Sequence, residues 1–508
     1  MTAKTRYDSL VGNRSQYLDE ATEAAKLTLP YLIREDNSPT GRRSITTPWQ
    51  SVGAKGVVTL ASKLMLALLP AQTSFFKLQL DESQLGTVPP EQRTELDLAF
   101  AKIERTIMDS IAASDDRVVI HQALKHLVTA GNALIFMGKN GLKLYPLNRY
   151  VVDRDGNGNV TEIVTKELID KKLVEEMVPE IKGLYVSDES DEENDCEVYT
   201  HVRRENNRFV WHQEAFDQII PKSMGKAPLD TNPWIALRFN TVDGEDYGRG
   251  RVEEFMGDLK SLEALSQALV EGSAAAAKVV FTVSPSSTTK PSTLAAAGNG
   301  AIVQGRPEDI GVVQVGKTAD FATAYNMVQQ LERRLSEAFL ILTVRQSERT
   351  TAEEVRMTQM ELEQQLGGLF SLLTVEFLVP YLNRKLSVHQ KKGDIPKLPK
   401  GMVNPVIVAG INALGRGQDR DALSQFLTII SQTMGPEAVG QYINPEEVIK
   451  RMAVAQGIDV LNLVRSMQEI QQEQQAMQQQ EQANIQTDQM IAAAKTPMMD
   501  PSKQPPEE

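Results

Sequence analysis

VEEFMGDLKSLEALSQALVEGSAAAAK, residues 252–278, is the stretch on which the architecture turns. Phe255, Met256, Leu259, Leu262, Leu265 and Leu269 recur at spacings of three and four, which puts them on one face of a helix, and Ala274 to Ala277 then offer a small-residue surface. VVFTV (279–283), a Ser/Thr/Pro/Gly-rich stretch, AIVQ (301–304), GRPED and IGVVQV (310–315) follow, and together they predict a small strand-and-turn module. A second helix is expected over Phe321–Leu342, with Val328, Leu331, Leu335, Phe339 and Leu342 on one face. The chain thus goes out on one helix, turns through a β module and returns on another. The module is too small to bury both apolar stripes, so neighbouring copies are expected to cover the rest in a homo-oligomeric ring with heterologous contacts.

Upstream, helical periodicity over residues 4–28 ends at Pro30, and a more apolar helix over 49–69 ends at Pro70. Phe75–Leu80 alternates like a strand, helices are predicted over 91–112 and 116–130, and Ala133 to Trp211 is expected to form a sheet. Downstream, TVRQSERT (343–350) interrupts the pattern. Thr350 or Thr351, with Glu353 or Glu354 three residues on, can close a capping box and start a long helix that stops at Pro380. At about 1.5 Å per residue that helix is roughly 40 Å long, enough to cross a subunit. Shorter helices are predicted over 418–467, before a Gln-rich end (QEIQQEQQAMQQQEQ, 468–482). The fold class is α+β and helix-rich; 508 residues allow about three domains or one elongated subunit of several regions.

Lys and Arg number 54 against 67 Asp and Glu, a net charge of -13, which is the wrong sign for a free-standing nucleic-acid binder. Any DNA contact must therefore be local. The single cysteine, Cys196, permits no intrachain disulfide and suits a reducing compartment, and MTAKTRYDSL has no apolar core of the kind an export signal needs. Val57–Leu69 is the longest apolar run, shorter than the roughly 20 residues a bilayer requires, so no membrane association is expected.

Several motifs invite chemistry. GVVQVGKT (311–318) matches the P-loop spacing, but Val312, Val313 and Val315 favour an extended strand over a phosphate-cradling loop. Asp153–Gly158 opens like a calcium loop, yet position 12 is Val164, and a hairpin turn is the better reading. The acidic run Ser187–Glu197 reads as a solvated loop between strands. His121 and His126, five apart, diverge on a helix; Ser287 to Lys290 spells SxxK in a turn; no GxSxG or HExxH occurs. No enzymatic activity, cofactor or metal is expected.

GEDYGRG (244–250), leading into DLKSLEAL (258–265), resembles the start of the stem in portal proteins, the head-to-tail connectors of short-tailed DNA phages. GRPEDI (305–310), ERTTAEEVR (348–356), LGG (366–368) and GRGQD (415–419) are similar in the same order. The resemblance implies a dodecameric ring at one capsid vertex, a passive conduit for double-stranded DNA during packaging and ejection. It implies a wing (1–250 and 353–417), stem helices at 251–278 and 318–343, a clip at 279–317, a tunnel loop at 344–352, and a crown with C-terminal tail at 418–508. Implied partners are major capsid and scaffolding proteins, terminase, a tail adaptor and internal core proteins, with assembly in the host cytoplasm and residence in the virion. Arg345 and Arg349 on the polar segment are the DNA-channel candidates. Two other readings stand beside this one: a tail-adaptor or scaffold ring without a DNA channel, and a P-loop ATPase acting through Lys317.

Overall fold

The structure is a computed structural model; it describes residues 2–33, 45–70, 74–80, 90–170, 174, 195–276, 280–286, 290–298, 302–306, 308, 310–313, 318–341, 367–396, 403–407, 416–435, 443 and 448. Two compact units divide the chain, Met1–Ile411 and Asn412–Glu508. In the second, the described helix is Arg416–Met434, whose Phe426 and Ile429 are exposed.

The first unit opens with helix α1 (Ala3–Leu27), begun by the Thr2 hydroxyl accepting from the Thr5 N–H. Helices α2 (Val52–Leu68), α3 (Pro90–Ala112) and α4 (Asp116–Ala130) follow, with strand β1 (Phe76–Leu80) between α2 and α3. The predicted middle sheet is in fact two. One holds β2 (Asn132–Gly138) and β3 (Gly141–Tyr145), completed by β10 (Trp234–Arg238) in the order β10-β2-β3. The other runs β4 (Tyr150–Arg154), β5 (Val160–Asp170), β6 (Asp195–Glu205), β7 (Arg208–Ala215) and β8 (Gln218–Ile219), with β9 (Gly225–Pro228) also on β7. Sequence reading missed β10: WIALR is buried at every position, so it lacks the alternation of a half-exposed strand.

Alternation along β5 and β6 gives their sheet two different faces. On one, Tyr7 and Leu10 of α1 pack on Val151, Val164 and Tyr199; on the other, Ile163 and Val202 join Tyr150, Trp234 and Tyr247. Part of the acidic run belongs here, since Asp195–Glu197 begin β6 and Glu197 pairs with Lys166; residues 187–194 lie outside the described residues.

The helical pair is α5–α6 (Arg251–Glu254, Met256–Ala276) and α8 (Thr318–Ala338). Between them lie β11 (Val280–Val283), the short α7 (Pro291–Ala295) and β12 (Ile310–Val313), with β11 and β12 pairing antiparallel. AIVQ forms no strand: Ile302 to Gln304 have no regular structure, and with Ile302 fully exposed no packed surface holds them extended. Near the body the two stripes bury each other, Leu259 and Leu262 joining Val328, Leu331, Leu335 and Phe339 in the largest hydrophobic cluster; farther out Val270, Tyr325 and Met327 are exposed.

Residues 367–373 are helical, Thr374–Leu378 form a π-helical turn, and α9 (Val379–Lys392) continues past the expected stop at Pro380. The Val379 N–H reaches back five residues to the Thr374 carbonyl, opening the ladder where Pro380 has no N–H to give. Strand β13 (Val403–Ile407) returns to pair with β1. The predicted capping box at residues 350–354 lies outside the described residues. Among the described residues no helix is long and apolar enough to cross a membrane.

Candidate functional site: the root of the helical pair

GEDYGRG is the chain's crossing from body to helical pair, and each residue type in it has a mechanical reason. Helix α4 ends at Gly131, at φ +72°, and this turn lies directly against Gly248 and Gly250. A Cβ on Gly131 would stand 2.5 Å from the Gly248 oxygen and 2.6 Å from the Gly250 nitrogen, and one on Gly250 would stand 2.7 Å from the Thr129 oxygen. Backbone packs on backbone, which only glycine allows. Asn132 fastens the crossing: its Oδ1 accepts from the Gly248 N–H at 2.7 Å, and its Nδ2 donates to the carbonyls of Gly248 at 2.7 Å and Ala130 at 3.0 Å.

Around the glycines, Tyr247 is buried with its ring 5.2 Å from Tyr17, and its hydroxyl accepts from the Val152 N–H at 3.0 Å. Arg249 donates to Glu245 at 2.8 Å and Glu253 at 2.6 Å, with its guanidinium over the Tyr17 ring. Those bonds hold the Arg249 pKa above its ordinary value, and Arg249 in turn lowers that of Glu245. Burial raises Glu253 despite the same partner.

Asp246 leads to a second, ionic fastening. Its Oδ1 accepts from the Arg154 N–H, and its carbonyl accepts from Arg154 Nε at 2.9 Å. Arg154 also donates to the carbonyls of Gly158 and Ala236, and it lies 3.9 Å from Glu376. Glu376, in the π-helical turn, accepts from the Arg238 backbone N–H at 3.1 Å and from its guanidinium at 2.5 Å and 3.0 Å. Desolvation, then the nearby Arg238 charge, lowers the Arg154 pKa against the pull of Glu376. One carboxylate thus joins the hairpin turn, β10 and the long helix. Asp153–Gly158 is that hairpin turn: Asp155 Oδ1 accepts from the N–H groups of Asn157 and Asn159, and Gly158 takes φ +78°.

At its C-terminal end, back at the root, α8 is closed by cations. Lys63 donates to the Leu340 carbonyl at 2.6 Å and Arg251 to that of Ala338 at 3.2 Å, complementing the negative end of the helix dipole. Leu340 itself sits at φ +56°, a left-handed conformation costly for a non-glycine residue. The chain therefore leaves the pair through a strained, clamped cap. Arg345 and Arg349, a few residues on, lie outside the described residues.

Of the P-loop match, Gly311–Val313 is strand β12 in register with Val280–Thr282 and Thr318 opens α8; residues 314–317, Lys317 among them, lie outside the described residues. His126 is fully buried and His121 bonds Ser62, so the two imidazoles do not converge. Among the described residues no group of three or more His, Cys, Asp or Glu side chains could hold a metal. Sequence reading missed Glu376 and Arg238: they are 138 residues apart, with no local signal for either.

The glycine contacts thus join the end of α4 directly to the segment that leads into the helical pair. The chain belongs to the family described as bacteriophage head to tail connecting protein, whose profile matches residues 1–464. It is 38% identical over 490 residues to the portal protein of Escherichia phage T7, covering 94% of this chain and 90% of that protein. To the portal protein of Enterobacteria phage T3 it is 39% identical over 476 residues, covering 91% and 88% respectively. A chain from the neck of an empty GTA particle aligns with TM-score 0.38 at 11% identity, over 81% of this chain and 90% of that one, too distant to carry an argument.

Proposed function

We propose that the chain is one subunit of a portal ring at a capsid vertex, a passive conduit for double-stranded DNA and a docking platform for terminase and tail. The observation that supports this is the glycine-packed root, where backbone lies against backbone at the entry to the helical pair, a firm base of the kind a ring of identical stems would require. Wing, stem, clip, tunnel loop and crown follow the boundaries implied above; the division between compact units at Ile411/Asn412 supports a crown starting close to residue 418. A subunit charge of -13, repeated around a closed ring, suits a tunnel that confines DNA by repulsion and grips it little. Arg345 and Arg349, just beyond the strained Leu340 cap, would supply a local positive collar.

Electron microscopy of the purified full-length chain tests the ring. A closed ring whose channel admits duplex DNA is expected, and a channel too narrow for duplex would favour a tail-adaptor or scaffold ring. Replacing Arg345 and Arg349 together with Gln should leave assembly intact and reduce DNA packaging or retention severalfold; unchanged genome retention would mean the segment acts by bulk alone.

A further inference from the structure

Two exposed stripes on the first unit are complementary in charge and alike in apolar content. Helix α2 contains no Asp or Glu, and α4 contains only Asp116, which is buried and held by Lys385 and Tyr381 at 2.6 Å each. On these two helices Val58, Leu66 and Val118 are exposed, at 38%, 61% and 59%, together with Lys55, while Lys125 is half-buried; one exposed acid, Asp115, stands just ahead of α4. Among the described residues neither lysine meets a carboxylate. Two lysines without a carboxylate partner and three exposed aliphatic side chains on one helix pair stand out on a chain so rich in acids.

The other stripe runs along α6. Glu263, Gln267 and Glu271 follow at four-residue spacing; Trp49, 51% exposed, is held to this helix, and Ile45, 41% exposed, lies four residues before Trp49 in the chain. Glu263 accepts from the backbone N–H groups of Trp49 and Gln50, which anchors the tryptophan to this helix, and Glu271 accepts from Gln267. Among the described residues neither glutamate meets a cation. An aromatic anchor beside unneutralised carboxylates is a counterpart for aliphatic side chains on a helix pair with two lysines that lack a carboxylate partner, and such matching sets register and excludes wrong partners.

We propose that the α2–α4 ridge of one copy docks on the α6 stripe beside Trp49 of a second copy, head to tail. The two surfaces differ, so each copy offers one and accepts on the other, the heterologous arrangement that propagates until it closes. This rests on the ring reading and names the contact within it.

The test is cross-linking of the full-length chain in a Cys196→Ser background. Leu66→Cys and Trp49→Cys, separately and together, are treated with a short bismaleimide after assembly. A ladder of multimers from the double variant, with each single variant staying monomeric on a denaturing gel, is expected. Cross-linked dimers from either single variant would mean that like faces meet, and would overturn the proposal. So would the absence of a ladder although the wild type assembles, an outcome that leaves the ring reading standing. A wild type that never assembles would remove the ring reading and this contact with it. If the double variant does not fold, Val58→Cys with Ile45→Cys asks the same question. Independently, Lys55→Glu with Lys125→Glu should reduce the assembled fraction at least tenfold without changing the unfolding profile, and undiminished assembly would contradict the contact.

Discussion

The two ends of the helical pair are built on opposite terms. At the root, backbone touches backbone through Gly131, Gly248 and Gly250, a carboxylate is shared by two guanidinium groups, and Lys63 and Arg251 close the last turn of α8. At the far end, among the described residues, two four-residue strands form a two-stranded ribbon whose Thr282 hydroxyl donates to the Gly311 carbonyl in the open, with Ile302 bare to solvent. A two-stranded ribbon is marginal by itself. The contrast teaches where the subunit stores precision: close backbone contacts and buried ion pairs hold the root, and the described residues of the tip are held by little more than one strand pairing.

The largest expected effect comes from breaking the root. Gly131→Ala combines a side chain at positive φ with a Cβ 2.5 Å from backbone atoms of Gly248 and Arg249, none of which can rotate away. A loss of about 4 kcal/mol or more is expected, read by denaturant melts of the full chain. An alanine variant as stable as wild type would show that the crossing has slack.

Next comes the ionic fastening. Glu376→Ala leaves Arg154 and Arg238, with side chains 5% and 10% exposed, facing each other without their carboxylate. About 3 kcal/mol of destabilisation is expected, because a buried charge stripped of its partner keeps its desolvation cost. Combining the change with Arg238→Met should recover part of the loss, and a melt of the double variant measures how much.

Acid should weaken the body. Burial, with the charge of Lys125 adding, pushes the His126 pKa down to about 4. A group with a depressed folded pKa leaves its stabilisation intact above the unfolded value, near 6.5, and loses it as pH falls toward 4. Roughly 3 kcal/mol should disappear across that window. Glu162, held down to about 2 with His201 and Arg6 on its oxygens, adds a further loss below about pH 4.5. His126→Leu should flatten the upper part of the pH profile alone, since among the described residues Nδ1 has no hydrogen-bond partner to lose.

The smallest effect is expected near the tip. Lys317→Ala should leave assembly unchanged and abolish no ATP hydrolysis, because Gly311–Val313 is paired strand. Saturable ATP binding that vanishes in this variant would break the comparison, since the tip would then hold a built phosphate site.

Much of the fold is legible in local patterns. The three- and four-residue spacing from Phe255 to Leu269 and the valine-rich segments at 279–283 and 310–315 announce helix, β module, helix, because periodicity depends only on which residues share a face. The same rule misjudged β10 and Pro380. WIALR is apolar throughout because both its faces are buried, and the helix survives its proline because a π turn, held by Glu376 on Arg238, opens the ladder ahead of it. The root shows the division most plainly. GEDYGRG can be picked out as a lead-in to the helix, but nothing near it in sequence tells that Gly248 needs no side chain because Gly131 lies against it, or that Arg154 and Glu376 meet. Local order follows from backbone propensity and face periodicity, which each segment carries with it; close approach between residues more than a hundred positions apart exists only once the core has closed and fixed which surfaces touch.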